Sequence, residues 1–221
     1  SAKEGYTITN SHTPELTEVS GSKTWKDAGN EGARPESIKI NLLANGKLAG
    51  SKEVKAGQDG KWTWKFEGLA KYAGGQEIVY TITEDAVENY TTEVKGYDVV
   101  NTYAPGETSV TVTKAWADGD EQDGKHPESI KVQLYADGQV SGEAVTLSSG
   151  GNWTYTWNSL PEKSNGKPIT YTVKEVGSEN GKVTYNGVEY TVEITGSAKE
   201  GYTITNSHTP ELTEVSGSKT W

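Results

Sequence analysis

Three kinds of polar residue fall where the strand pattern calls for apolar ones. In Val110-Thr-Val112-Thr-Lys114-Ala-Trp116 every second residue faces the same side of a sheet, so Lys114 points inward with its Val and Trp neighbours. Lys23 has the same phase in Val19-Ser-Gly21-Ser-Lys23-Thr-Trp25. Glu84 in Tyr80-Thr-Ile82-Thr-Glu84 and Glu175 in Tyr171-Thr-Val173-Lys-Glu175 share a face with aromatic and branched residues. Asn101 and Asn206 take the core phase in Tyr97-Asp-Val99-Val-Asn101 and Tyr202-Thr-Ile204-Thr-Asn206. Two sets of one Lys, one Glu and one Asn are therefore expected inside.

A buried charge is costly unless paired, so one reading is a Lys–Glu ion pair bonded to an Asn amide. The same residues allow a reaction. Burial lowers the pKa of a Lys and raises that of a Glu, so proton transfer leaves a neutral amine beside a neutral acid. The amine can attack the Asn carbonyl carbon while the acid polarises the carbonyl oxygen and then carries a proton to departing ammonia. An isopeptide bond results, and the protein is its own substrate, once per site.

The elements that must position these residues are strands. Segments rich in Val, Ile, Thr, Tyr and Trp alternate with Gly, Asn and Asp signals, and Asn45-Gly46 and Asp137-Gly138 predict hairpin turns. The best helical candidate, around Leu69 to Ala73, is at most a turn or two before Gly74-Gly75. About seven short strands per domain predict an all-β chain of two tandem immunoglobulin-like β-sandwich domains.

The tandem is written in two repeats. Residues 1–25 recur unchanged as 197–221, and a diverged repeat sets Ser22-Lys23-Thr24-Trp25 over Thr113-Lys114-Ala115-Trp116. That second offset carries Trp62 onto Trp153, Leu69 onto Leu160, Tyr80 onto Tyr171 and Glu84 onto Glu175; a one-residue gap adds Pro35 to Lys39 over Pro127 to Lys131. The expected divisions are 1–18, the last strand and linker of a preceding repeat; 19–104, domain one; 105–209, domain two; and 210–221, a linker and the first strand of a next repeat. The connectors at Tyr103 to Thr108 and Ser207 to Glu211 contain Pro and read as stiff spacers.

Composition narrows the classes. The 221 residues are 32% hydrophobic, include 26 Gly and have a mean hydropathy of −0.71, so each core must be thin. A net charge of −10 argues against nucleic acid and anionic membranes as partners. No stretch resembles a membrane span or signal peptide and Met is absent, so the chain reads as an interior piece of a longer protein. With no Cys, such domains lack the usual extracellular staple, and an isopeptide bond would supply one.

Lys-x-Trp on a first strand, Tyr-x-(Val/Ile)-x-Glu late in the domain and a terminal strand ending in Asn occur twice in the same order. This resembles the Cna protein B-type domain, the stalk repeat of Gram-positive surface adhesins and pilins, over residues 19–103 and 108–207. The resemblance implies a Lys23–Asn101 bond with Glu84 as catalyst and a Lys114–Asn206 bond with Glu175. It also implies an extracellular, cell-wall-anchored location. By the chain-entropy account, closing a loop of this size constrains the unfolded state by roughly 4–5 kcal/mol.

Other signals are weaker. Asp118 to Gly124 resembles a calcium loop, but its spacing slips by one and Ser129 stands where a bidentate Glu should close it, so a solvated acidic turn is expected. His12, His126 and His208 read as connector residues, and neither a metal nor a cofactor is expected. Asn89-Tyr-Thr91 and Asn152-Trp-Thr154 match a glycosylation pattern that is common by chance. Trp62, Trp64, Trp153 and Trp157 read as core and cross-strand packing, not a sugar platform.

Unchanged duplication suits length, so a structural spacer, monomeric and touching neighbouring repeats, is the leading expectation, with any host ligand held by a distal domain. The alternative is an adhesive module that binds host protein or glycan itself. A turnover enzyme is disfavoured, because the catalytic grouping consumes itself. Asn10 and Lys219 belong to repeats only partly present, so they are expected to stay unbonded, although either could in principle pair between molecules.

Overall fold

The computed structural model describes residues 8–122 and 124–221, which fall into two compact units, unit one up to Pro105 and unit two from Gly106. In unit one the order is β1 (Leu16–Lys26), β2 (Ile38–Ala44), β3 (Lys47–Val54), β4 (Trp62–Ala70), β5 (Tyr72–Ala73), β6 (Gln76–Glu77), β7 (Tyr80–Glu84), β8 (Tyr90–Lys95) and β9 (Asp98–Tyr103). One sheet runs β4-β1-β9-β8 and the other β3-β2-β7. Branched and aromatic residues at alternate positions, such as Ile38, Ile40 and Leu42 on β2 and Trp62, Trp64 and Phe66 on β4, bury the facing sides.

Unit two repeats this plan with β10 (Glu107–Ala117), β11 (Ser129–Ala136), β12 (Gln139–Val140), β13 (Val145–Ser148), β14 (Thr154–Pro161), β15 (Lys163–Ser164), β16 (Lys167–Pro168), β17 (Tyr171–Glu175), β18 (Lys182–Tyr185), β19 (Val188–Ser197) and β20 (Gly201–Ser207). Its first sheet gains a strand, β14-β10-β20-β19-β18. In its second sheet β12 and β13 together occupy one edge of β11, and β17 the other. The core is built on Val110, Val112, Val132, Leu134 and Ile204, all essentially inaccessible. Among the described residues there is no α-helix, only 3₁₀ turns at Glu31–Ala33 and Ser149–Gly151.

In both units the first strand pairs in parallel with the last, β1 with β9 and β10 with β20. Both first strands also meet a bulge at one place, between Thr17 and Val19 and between Thr108 and Val110. There the partner strand carries a left-handed residue, Gly68 at φ 67° and Ser159 at φ 52°. The slip moves the inward phase of β4 from Phe66 to Leu69, so the alternation of one strand survives a local change of register.

The hairpin signals hold: Asn45-Gly46 has φ of 49° and 77°, and Asp137-Gly138 has 49° and 78°, as a type I′ turn requires. The helical candidate at Leu69 to Ala73 does not. Its residues finish β4 and form β5, and Gly74-Gly75, with φ of 57° and 81°, turns the chain into β6. Pairing to β1 and across this small hairpin satisfies the backbone that a one-turn helix would leave open.

Candidate functional site

Register places the three polar residues. Lys23 stands opposite Val99 and Asn101 opposite Trp25, so Lys and Asn lie on adjacent parallel strands, on one face, two residues out of step. Unit two repeats this, with Lys114 opposite Ile204 and Asn206 opposite Trp116. Two steps of about 3.3 Å along the strand and one spacing of about 4.8 Å across separate such Cα atoms by roughly 8 Å, a gap the two side chains can close together. The Glu arrives from the other sheet: Glu84 ends β7 opposite Ile40, and Glu175 ends β17 opposite Val132.

Tyrosines fasten the Glu strand to its surroundings. The Tyr97 hydroxyl, in the turn just before β9, donates to the Tyr80 carbonyl at 3.2 Å, and the Tyr80 hydroxyl to the Ala70 carbonyl at 2.9 Å. In unit two Tyr202 donates to the Tyr171 carbonyl at 2.8 Å, and Tyr171 to that of Pro161 at 2.9 Å. Both chains of bonds tie the two sheets together at the start of the Glu strand. Close approach is needed here: a Cβ on Gly21 would lie 1.7 Å from the Tyr97 carbonyl oxygen.

In unit one Lys23 Nζ is ion-paired to Glu84 Oε1, with both side chains wholly buried. The other carboxylate oxygen accepts from the Thr92 hydroxyl at 2.9 Å. Asn101 is fully buried, and neither of its amide atoms has a hydrogen-bond partner among the described residues. Burial pushes the Lys23 amine down from its ordinary value, against the opposing pull of Glu84.

In unit two Asn206 Nδ2 donates to Glu175 Oε1 at 2.9 Å, and the Tyr185 hydroxyl donates to the same oxygen at 2.6 Å. Glu175 Oε2 and Asn206 Oδ1 are buried without partners among the described residues. Lys114 Nζ donates to the carbonyls of Ala115 at 2.6 Å and Ile204 at 3.4 Å, and lies 3.8 Å from the centre of the Trp116 ring. Burial pushes its amine down to about 8, which makes the neutral, nucleophilic form accessible near neutrality.

The six candidate residues thus gather as two sets of three. Unit one has Lys and Glu engaged and Asn idle; unit two has Glu and Asn engaged and Lys held by carbonyls. Each unpaired buried group costs about 1–3 kcal/mol, so neither cluster is a satisfied polar core. What the arrangement offers is an amine, a carboxyl group and a carboxamide gathered in the interior of each unit.

Sequence reasoning missed the outer layer. Arg34 makes two 2.7 Å hydrogen bonds to Asp27, which also accepts from the Tyr90 hydroxyl at 2.9 Å. The bonds from Arg34 hold the Asp27 carboxyl below its ordinary range. At the matching place in unit two His126 Nδ1 lies 2.9 Å from Asp118 Oδ2, and its ring stacks on Trp116 with centroids 4.6 Å apart. His126 is therefore no connector residue: it covers the Trp that underlies Lys114. Burial raises the Asp118 carboxyl, but the hydrogen bonds from His126 and the Glu121 amide outweigh it. Asp118, read as the first position of a calcium loop, is occupied by these donors, and Asp123 lies outside the described residues. Asp27 and Asp118 keep the repeat offset that relates the two Lys residues, a signal that could have revealed them. His208 also packs within unit two, its amide on the Ala117 carbonyl at 3.0 Å and its ring 5.5 Å from that of Tyr190, whereas His12 is exposed. Trp62 and Trp64 are buried, and Trp153 and Trp157 pack partly buried against the core, so packing accounts for all four.

The description Cna protein B-type domain matches residues 19–102 and again 110–207. Among curated proteins, the collagen adhesin of Staphylococcus aureus is 43% identical over 215 residues, which are 97% of this chain and 17% of that protein. Among solved structures, a single B repeat unit (B1) of the collagen-binding surface protein of S. aureus is 42% identical, covering 89% of this chain and all of that one at a TM-score of 0.41. A structure of two B repeat units of the same protein is 41% identical, covering 89% of this chain and 50% of that one, also at 0.41.

Proposed function

The chain belongs to the Cna protein B-type domain family, and from that premise we propose that it is a spacer of an extracellular surface adhesin, each unit locked by a self-made Lys–Asn isopeptide bond. Lys23 joins Asn101 and Lys114 joins Asn206. In each, the Lys Nζ–Asn Cγ bond forms and the Asn Cγ–Nδ2 bond breaks; Glu84 or Glu175 relays a proton lost by Nζ to the leaving nitrogen, which departs as ammonia. No cofactor or oxidant enters.

The observation that carries this reading is the repeated convergence of a buried Lys, Glu and Asn whose hydrogen bonds are incomplete. The strand order gives it a mechanical use. The crosslink ties the first strand to its parallel neighbour, the last. Force entering at Leu16 crosses to Asn101 at Lys23 and leaves at Tyr103, and all residues between them are bypassed.

The named relatives are collagen-binding proteins of a Gram-positive bacterium, and this chain spans 17% of the curated one. We assign to it the spacing of a binding domain from the cell wall, not the binding. Pulling single molecules by their ends tests this: neither unit should lengthen before the attachments fail. A gain of about 3.3–3.6 Å for each residue between Lys23 and Asn101 would contradict it.

A further inference from the structure

The two units hold their Glu by different hydroxyls. In unit one the donor is Thr92 on β8, whose backbone partner on β9 is Asn101. The corresponding strand of unit two is β19, which pairs with β20 as β8 pairs with β9, and there Asn206 faces Val192. The aromatics confirm the correspondence: Tyr90 and Tyr190, each two residues earlier, stand edge-on to Trp25 and Trp116 at 4.9 and 5.5 Å. Val192 cannot donate. Unit two instead has β18, a strand without counterpart in unit one, and its last residue, Tyr185, bonds Glu175 Oε1 at 2.6 Å.

We propose that Tyr185 is a positioning residue for bond formation in unit two, replacing from an added strand the hydroxyl that Thr92 brings to Glu84. The inference rests on the isopeptide reading above. A carboxyl can turn about its Cγ–Cδ bond and carry its proton on either oxygen. The carbonyl oxygen of a carboxylic acid is a better acceptor than its hydroxyl oxygen, so a hydrogen bond donated to one oxygen favours the proton on the other. In unit one Thr92 takes Oε2, which leaves Oε1 to receive the proton of Lys23, the group it already faces. In unit two Tyr185 and Asn206 both take Oε1, which leaves the unpartnered Oε2 as the acceptor for Lys114. Burial and the neighbouring Glu175 push the Tyr185 phenol well above its ordinary value, so it remains a donor throughout. The hydroxyl touches neither reacting atom. It favours one oxygen over the other as the carrier of the proton.

The experiment follows both crosslinks in one chain. The full chain is made in a short cell-free pulse and quenched in acid at intervals, and proteolytic fragments spanning each Lys–Asn pair are weighed. Unit one serves as the internal clock. Tyr185→Phe keeps the ring and should slow unit two on the order of tenfold while unit one keeps its rate. Adding Val192→Thr should restore the rate by supplying a hydroxyl where unit one has Thr92, a rescue that ring packing alone would not give. Thr92→Val, at an exposed position, should slow unit one only. Unchanged rates in Tyr185→Phe and Thr92→Val, or no rescue by Val192→Thr, would overturn the proposal. Unmodified chain that forms neither crosslink would overturn the isopeptide reading itself.

Discussion

Lys114 and Asn206 lie on adjacent parallel strands two residues out of register, Lys114 opposite Ile204 and Asn206 opposite Trp116. The offset leaves the Lys side chain room to run forward along the sheet, and its Nζ lies over the ring of Trp116, the residue opposite Asn206. Direct opposition would leave a long side chain facing a short one with nowhere to extend. Lys23 and Asn101 share the offset.

Because the two clusters lie in separate compact units, their carboxylates should act independently. Glu84→Gln should retain one ammonia, Glu175→Gln one, and the double variant two, read by intact mass. Asp85 is no substitute for Glu84: it is half-exposed and occupied by the Asn41 amide at 2.7 Å. Full mass loss in the double variant would remove both Glu residues from the mechanism. Each altered unit should also unfold at lower denaturant, by up to about 4 kcal/mol, through loss of its staple.

The Lys, Glu and Asn positions were legible because period two along a strand is a strict rule and each violates it inside an apolar run. The tandem was legible because the sequence repeats. Other features depend on contacts between distant segments. Thr92 and Val192 are matched only once β8 and β19 are seen beside the Asn strands, and Tyr185 comes from a strand that the other unit lacks. The segment from Leu69 to Ala73 misled because its residues suit either state, and β1 pairing decides it. His126 lies beside Pro127, which suggested a connector, and its stacking on Trp116 is a tertiary contact.

An uncrosslinked unit two should gain stability as pH rises. The Lys114 amine falls from 10.5 to about 8 on folding, so between these values the unfolded chain binds more protons and stability climbs with pH. In Asn206→Ala the unfolding free energy of unit two should rise by about 1 kcal/mol from pH 7 to pH 9. Adding Lys114→Met should abolish the rise. Equal slopes with and without Lys114 would contradict the assigned burial effect.

Asp27 should matter to unit one in the acid range. Its carboxyl is held below 3.8 by Arg34 and Tyr90, so its contribution is complete above that value and is lost as pH falls through the lower, folded one. Asp27→Ala should cost about 1–3 kcal/mol at neutral pH, since it strands the Tyr90 hydroxyl and removes the two Arg34 bonds. Denaturant titration of unit one at pH 7 and pH 3 checks both: the gap from the parent should shrink at pH 3, and a constant gap would argue against the titration.

Residues 212–221 repeat the sequence of Leu16–Trp25 in β1, yet are exposed and form no strand. Lys219 would have to displace Lys23 of another molecule to react, against a strand already paired on both sides. The same holds for Asn10 against Asn206. Monomer should therefore dominate on a denaturing gel, and a heat-resistant ladder of oligomers would show that terminal strands exchange.

The most direct test is the intact mass of the folded, purified chain under denaturing conditions. The self-made bonds require a mass below that of the 221-residue sequence by two ammonia molecules, with Lys23 joined to Asn101 and Lys114 to Asn206 in the fragments. A mass equal to the sequence value would leave two buried polar clusters and no crosslink, and would contradict the account.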